Sequence, residues 1–135
     1  MKNKINEKVK HRQWFRPFAP SILREEVKNW FTKDINSPYM SFVLDFKEEV
    51  RNKIPAVVHL NGTARLQTVT ENDNKWYYNF IKKWHKKSGV PIVLNTSFND
   101  REPICETPEH ALNCFLGTDI DYLYFYEEGI LVSRK

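Results

Sequence analysis

A chain of 135 residues with 41% hydrophobic and 14% aromatic content can bury the core of one domain, which sets aside both a disordered tail and a multidomain chain. Two cysteines, Cys105 and Cys114, exclude a disulfide framework or a thiolate metal cluster, and no apolar run approaches the roughly 20 residues of a membrane span. The net charge of +4 is uneven: residues 1–20 carry six cations (Lys2, Lys4, Lys8, Lys10, Arg12, Arg16) against Glu7, a local +5, so the remainder sums to −1.

That local excess implies an anionic partner, whether nucleic acid, nucleotide phosphate or a small phosphorylated substrate; the alternative is a solvated basic terminus. The start, MKNKINEK, has no apolar signal segment, so a cytoplasmic, membrane-free location with reduced thiols is expected.

Residues 3 to about 9 read as a short helix with Ile5 and Val9 stacked at i, i+4. Pro17 and Pro20 then forbid a continuing helix. An extended Lys10–Arg16 would put Lys10, Arg12, Trp14 and Arg16 on one face and His11, Gln13 and Phe15 on the other. Three cations and an indole on one edge suit a polyanion with a base stacked beside it.

Phe18 to Leu23 reads as a strand leading into a short helix, Arg24 to Phe31, with Val27, Trp30 and Phe31 inward. After the loop TKDINSPY, residues 40–46 alternate with period two, as a strand does, and KEEVRNK is a charged connection. In AVVHLNGTARLQTV, Asn61-Gly62 between two alternating runs predicts a two-residue hairpin pairing His59 with Ala64 and Val58 with Arg65. Arg65, flanked by Thr63 and Gln67, is then a ligand candidate, or else an ordinary strand-surface arginine.

Asn72 to Ser88 is the clearest helix, with Trp76, Tyr77, Phe80, Ile81 and Trp84 as its core stripe and Gly89 as its stop. Next comes GVPIVLNTSFN. Pro91 to Leu94 reads as a strand buried on both faces, running into a loop of Asn95, Thr96, Ser97 and Asn99. Such a loop at a strand's carboxyl end is where open α/β sheets place ligands. Amide and hydroxyl groups suit an uncharged amide or a phosphate oxygen, though an ordinary Asn/Ser turn has the same composition. Thr107 caps a following helix with Pro108 first and Glu109 in its first turn, buried through Ala111, Leu112, Phe115 and Leu116. Asp121–Tyr126 and Ile130–Ser133 close the chain as a hairpin. The sum is an α/β (α+β) domain of six or seven strands and three to four helices.

Taken together, NEKVKHRQWFRPFAPSIL, HLNGTARLQTV and GVPIVLNTSFNDREPICETPEHALNCFL resemble, over nearly the whole chain, the C-terminal domain of the NodU/CmcH-type O-carbamoyltransferases. That resemblance implies a single YrdC-like domain over residues 1–135, a twisted, mostly mixed or antiparallel sheet with flanking helices around a basic cleft. YrdC-like relatives are marked by K-x-R and S-x-N, matched here by Lys10-x-Arg12 and Ser97-x-Asn99. By resemblance, carbamoyl phosphate and ATP, with Mg²⁺, become carbamoyl-adenylate, and a metal-containing kinase-fold domain passes the carbamoyl group to a small-molecule hydroxyl.

On this reading Lys10 and Arg12 are catalytic, Arg16, Arg65, Asn95, Ser97 and Asn99 bind substrate or nucleotide, and the chain itself supplies no metal ligand. Positioned cations stabilise the transferring oxygens without a covalent nucleophile. The chain departs from the family in three ways. It lacks an upstream stretch of the pattern E-x-G-x-R-A-L-G-x-R-S, it lacks the hydroxyl-transfer domain, and it has Gln13 and Asn61 where Glu and Asp are usual. It is therefore expected to be part of a catalytic domain, whether a split subunit, a shortened piece or a gene remnant, inactive alone, with a separately encoded kinase-fold chain as a candidate partner. The alternatives are a nucleic-acid-binding module and a structural docking module, the first disfavoured because only one short segment is basic.

Overall fold

The computed structural model describes residues 1–134. Its backbone divides into two compact units, one of Met1–Arg16 with the segment from Ser97 onward, the other Pro17–Thr96.

The Pro17–Thr96 unit is built on β1 (Ala19–Leu23), whose five residues are all buried. It lies between β4 (Gln67–Val69), to which it is parallel, and β5 (Ile92–Asn95), to which it is antiparallel. Proline inside a central strand removes a ladder donor. Pro20 is accommodated because it pairs only with Leu94 of β5, while the pairing to β4 begins one residue later, at Ser21. A 3₁₀ turn (Arg24–Glu26) and α2 (Val27–Trp30) follow as expected, with Val27, Trp30 and Phe31 buried. Phe31 bridges to Phe46, and their rings stack at 4.2 Å.

The period-two segment forms a shorter strand than its sequence suggests, β2 (Val43–Asp45); Leu44 and Phe46 are buried while Phe42 is exposed. The charged connection is a 3₁₀ helix (Glu48–Lys53) with Val50 buried.

The hairpin expectation is overturned in part. The Asn61-Gly62 turn forms, with Gly62 at φ +82° and its N–H donating to His59 O at 2.9 Å. Among the described residues no strand lies directly before it. β3 (Thr63–Arg65) instead pairs antiparallel with β2, so Ala64 faces Leu44 and Arg65 faces Val43. Pro55 cannot donate to a ladder, and Ile54 and Val57, three apart, tuck into the core as a turn does. Ala64 and Leu66 are fully buried and Arg65 is exposed, while Thr63 and Gln67 are half-buried, Gln67 accepting a hydrogen bond from Ser21 of β1.

Helix α3 (Lys75–Ser88) starts where the Asn74 side chain accepts from Tyr77 N–H and stops at left-handed Gly89. Its predicted core stripe is another correction. Only Ile81 is buried, packing with Leu23 and Val69 and flanked by Tyr77, Tyr78 and Val93; Trp76, Phe80 and Trp84 are exposed. A sheet of three short strands covers only one ridge of a 14-residue helix. β5 is likewise not buried on both faces: Ile92 is buried, whereas Val93 and Leu94 at this outer strand are half-buried.

In the other unit, α1 (Lys2–Lys8) leads into a looped segment, and α4 (Pro108–Gly117) packs on the hairpin of β6 (Tyr122–Phe125) and β7 (Ile130–Ser133). Ala111, Phe115 and Leu123 form its core with Phe98, Cys105, Ile120, Phe125 and Val132 around them. Leu112 and Leu116, expected inside, are exposed. Thr107 caps α4 by accepting from His110 N–H at 3.1 Å. Arg134 closes its other end, donating to the carbonyls of Phe115, Leu116 and Thr118. The described residues hold seven strands and four α-helices, a mixed α/β fold with small mixed and antiparallel sheets. Among them no helix is long and apolar enough to cross a membrane.

Candidate functional site

The site is organised by a residue that sequence reasoning passed over, Asn6. It is fully buried in α1, donates from Nδ2 to the carbonyls of Trp14 and Arg16 at 3.0 Å each, and accepts from Arg12 Nε at 2.8 Å. One amide thus sets the path of the basic loop and the orientation of its arginine. An Asn inside a short helix has modest helix propensity, and that was the only signal of its role.

The loop is not the extended edge expected from Pro17 and Pro20. His11 is left-handed at φ 43°, Lys10 and Arg12 donate backbone N–H bonds to Ile5 and Asn6 carbonyls, and a turn closes from Arg16 N–H to Gln13 O. The alternation of faces is therefore lost. Trp14 and Phe15 are both exposed and meet edge to face, whereas Lys10 is buried.

Lys10 reaches the amide-rich loop. Its ammonium donates to Ser97 O (3.0 Å) and Oγ (3.3 Å) and to Asn99 O (2.5 Å) and Oδ1 (2.6 Å), three N–H bonds shared among four acceptors. Ser97 Oγ donates to Asn99 Oδ1 at 2.7 Å, and Asn99 Nδ2 donates to Glu102 O at 2.8 Å. Asn99 is thereby committed on both sides of its amide, holding the loop in shape. His11 Nδ1 stands 3.0 Å from Asp100 Oδ2, while Asp100 Oδ1 is buried with no hydrogen-bond partner.

Burial, and then the neighbouring Arg12 guanidinium, push the Lys10 ammonium below its ordinary value, against smaller opposing pulls from Cys114 and Asp100. Arg12 is lowered in the same way, by burial and then by Arg16. These are cations crowded into one place, an arrangement that an incoming anion would relieve. Beside them a cavity of about 650 Å³ is lined by residues including Asn99, Asp100, Arg101, His110, Cys114 and Thr118, a size usual for small-molecule sites.

The structure thus brings together Lys10, Arg12, Arg16, Ser97 and Asn99, all within one unit. Arg65 and Asn95 belong to the other unit. There Arg65 is exposed on β3, and Asn95 Nδ2 donates to Gln67 Oε1 at 2.8 Å, an oxygen that also accepts from Ser21 Oγ. Asn95 therefore ties the three strands of the sheet together. Among the described residues no group of three or more His, Cys, Asp or Glu is placed to hold a metal ion.

A family model described as the carbamoyltransferase C-terminus matches residues 1–133. The chain is 43% identical over 135 residues to an uncharacterised Methanocaldococcus jannaschii protein, covering 99% of this chain and 22% of that one. It is 46% identical over 126 residues to nodulation protein NolNO of Sinorhizobium fredii, covering 90% and 18%, and 42% identical over 128 residues to nodulation protein NolO of Bradyrhizobium diazoefficiens, covering 90% and 23%. It spans about a fifth of the length of these relatives. The chain belongs to the carbamoyltransferase C-terminus family.

Proposed function

We propose that the chain is a carbamoyltransferase component whose Lys10/Arg12 cluster binds carbamoyl phosphate and ATP and forms carbamoyl-adenylate for transfer to a small-molecule hydroxyl. The observation that supports this reading is the tie of Lys10, which has Arg12 and Arg16 as charged neighbours, to Ser97 and to Asn99, a residue that also lines a substrate-sized cavity.

The roles follow from the chemistry of each group and its place in the loop. Lys10 is committed to carbonyls and acts as a fixed positive charge. Arg12, oriented through Nε by Asn6, and the exposed Arg16 offer guanidinium groups to phosphate oxygens. Ser97, exposed, and the cavity-lining amide of Asn113 are of the neutral type that a carbamoyl group requires, while Asn99, bonded to Lys10, Ser97 and Glu102, keeps that loop in place. Adenylation builds negative charge on the transferring oxygens, which such pre-placed donors stabilise without reorganising. Mg²⁺ is compatible with this donor set: the ion is commonly carried on substrate phosphates with one or two carboxylates, and Asp100 is the carboxylate beside Lys10. Bound Mg²⁺ would neutralise phosphate charge. The hydroxyl acceptor and the transfer step belong to the other four-fifths of the relatives' length, so the chain alone is expected to bind without completing transfer.

The test is a thermal-shift titration with ATP and with carbamoyl phosphate. Each ligand raises the melting temperature, and Arg12→Ala removes the rise while leaving the unliganded protein folded. Equal shifts in wild type and Arg12→Ala would refute the assignment.

A further inference from the structure

Helix α3 carries an apolar face that the core beneath it does not use. Ile81 is fully buried, while Phe80 and Trp84, one turn apart, are 46% and 44% exposed. Trp76 stacks on Phe80 at 5.6 Å and extends the same row. Lys83 and Lys87, at i+3 and i+7 from Phe80, fall on that face by helical spacing. Over its 14 residues the helix carries Lys75, Lys82, Lys83, Lys86 and Lys87 and no carboxylate. Aromatic residues framed by charge are the composition of an interface centre with a polar rim.

Two observations choose the occupant. A second copy would bring two helices of five lysines together, which like-charge repulsion opposes. The chain matches only 18–23% of the length of relatives to which it is 42–46% identical, so most of the polypeptide such a domain accompanies lies outside it. We infer that the Phe80/Trp84 face of α3, bordered by Lys83 and Lys87, docks on an acidic-rimmed apolar surface of the carbamoyltransferase polypeptide that makes up the remaining four-fifths of these relatives. The inference rests on the reading of the chain as a component of such an enzyme, and it names the surface by which the component is held.

The experiment grafts this chain in place of the matching segment of the M. jannaschii relative and compares hydroxyl-radical oxidation of Trp84 in the graft and in the isolated chain. The proposal expects oxidation to slow at least tenfold in the graft and to recover in the K83E/K87E double variant. Trp84 oxidised as fast in the graft as in isolation overturns it. Sedimentation of the isolated chain is the second measurement: a monomer is expected, and a dimer lost in F80S/W84S would assign the face to self-association and overturn the proposal. Tight binding of a polynucleotide or of anionic vesicles through the same two residues would overturn it as well. Loss of the ATP and carbamoyl phosphate shifts from wild type would sink the catalytic reading and leave the Trp84 result unaffected, so the two failures are distinguishable.

Discussion

Replacing Asn6 by Leu keeps nearly the same volume and removes three hydrogen bonds at once: Arg12 Nε into the amide oxygen, and the amide nitrogen into the carbonyls of Trp14 and Arg16. Asn6 is fully buried, so water cannot take its place inside the loop. Each orphaned polar group costs about 1–3 kcal/mol. Trp14 and Arg16 are exposed residues whose carbonyls can turn towards solvent, and Arg12 is only half-buried, so the low end applies to each. The expected loss is about 3 kcal/mol from the three groups, or roughly 10 °C in melting temperature for a domain of this size. Denaturant unfolding gives the free energy, and ATP-induced thermal shift gives the effect on the site, where Arg12 loses its orientation and most of the shift disappears. Asn6→Asp retains the acceptor for Arg12 and loses both donors, so it should be nearly as unstable yet recover part of the ATP shift. A loss below about 0.5 kcal/mol, the range of ordinary surface changes, would refute the assignment of Asn6 as the loop's organiser.

Gly62→Ala should destabilise by about 2 kcal/mol, because the residue is left-handed at φ +82° and the new Cβ would lie 2.6 Å from Arg51 Cζ. In an Arg51→Ala background the steric part vanishes, so a double-mutant cycle showing no coupling would contradict this. Tyr78 donates from its hydroxyl to Glu25 Oε1 at 2.7 Å, and that bond, before burial and the charges of Glu25 and Glu71, raises it to about 12. A raised acid favours the folded state below pH 10 and loses that contribution as pH climbs from 10 through 12. Difference absorbance against Tyr78→Phe should show one late-ionising tyrosine, and its ionisation near 10 would refute the contact. The Cys114 thiol is raised chiefly by burial and then by neighbouring Cys105, so iodoacetamide should alkylate it more slowly at pH 8 than a free thiol does. Faster alkylation would contradict that environment.

Local chemistry was legible wherever a single residue decides an element. The Thr107 cap, the Gly89 stop, Pro108 at the start of α4 and the closing hairpin all stand where their residue types put them. What the sequence hid was choice of partner. The Asn-Gly turn formed, yet β3 took β2 rather than the segment just before the turn, because ladder partners are settled by burial at long range. The aromatic row of α3 looked like core because periodicity reveals a face and not what covers it. Lys10 and Ser97-x-Asn99 could be paired by resemblance, whereas the left-handed turn at His11 and the three bonds of Asn6 left no pattern to read.

The central claim is that the Lys10–Arg16 loop and the Ser97–Asn99 loop form one anion-binding site. The most direct measurement is a ¹H–¹⁵N NMR titration of the chain with carbamoyl phosphate and with ATP·Mg²⁺. The account predicts saturable shifts concentrated at residues 10–16 and 97–100, abolished in Arg12→Ala. Shifts centred elsewhere, or none at millimolar ligand, would contradict it.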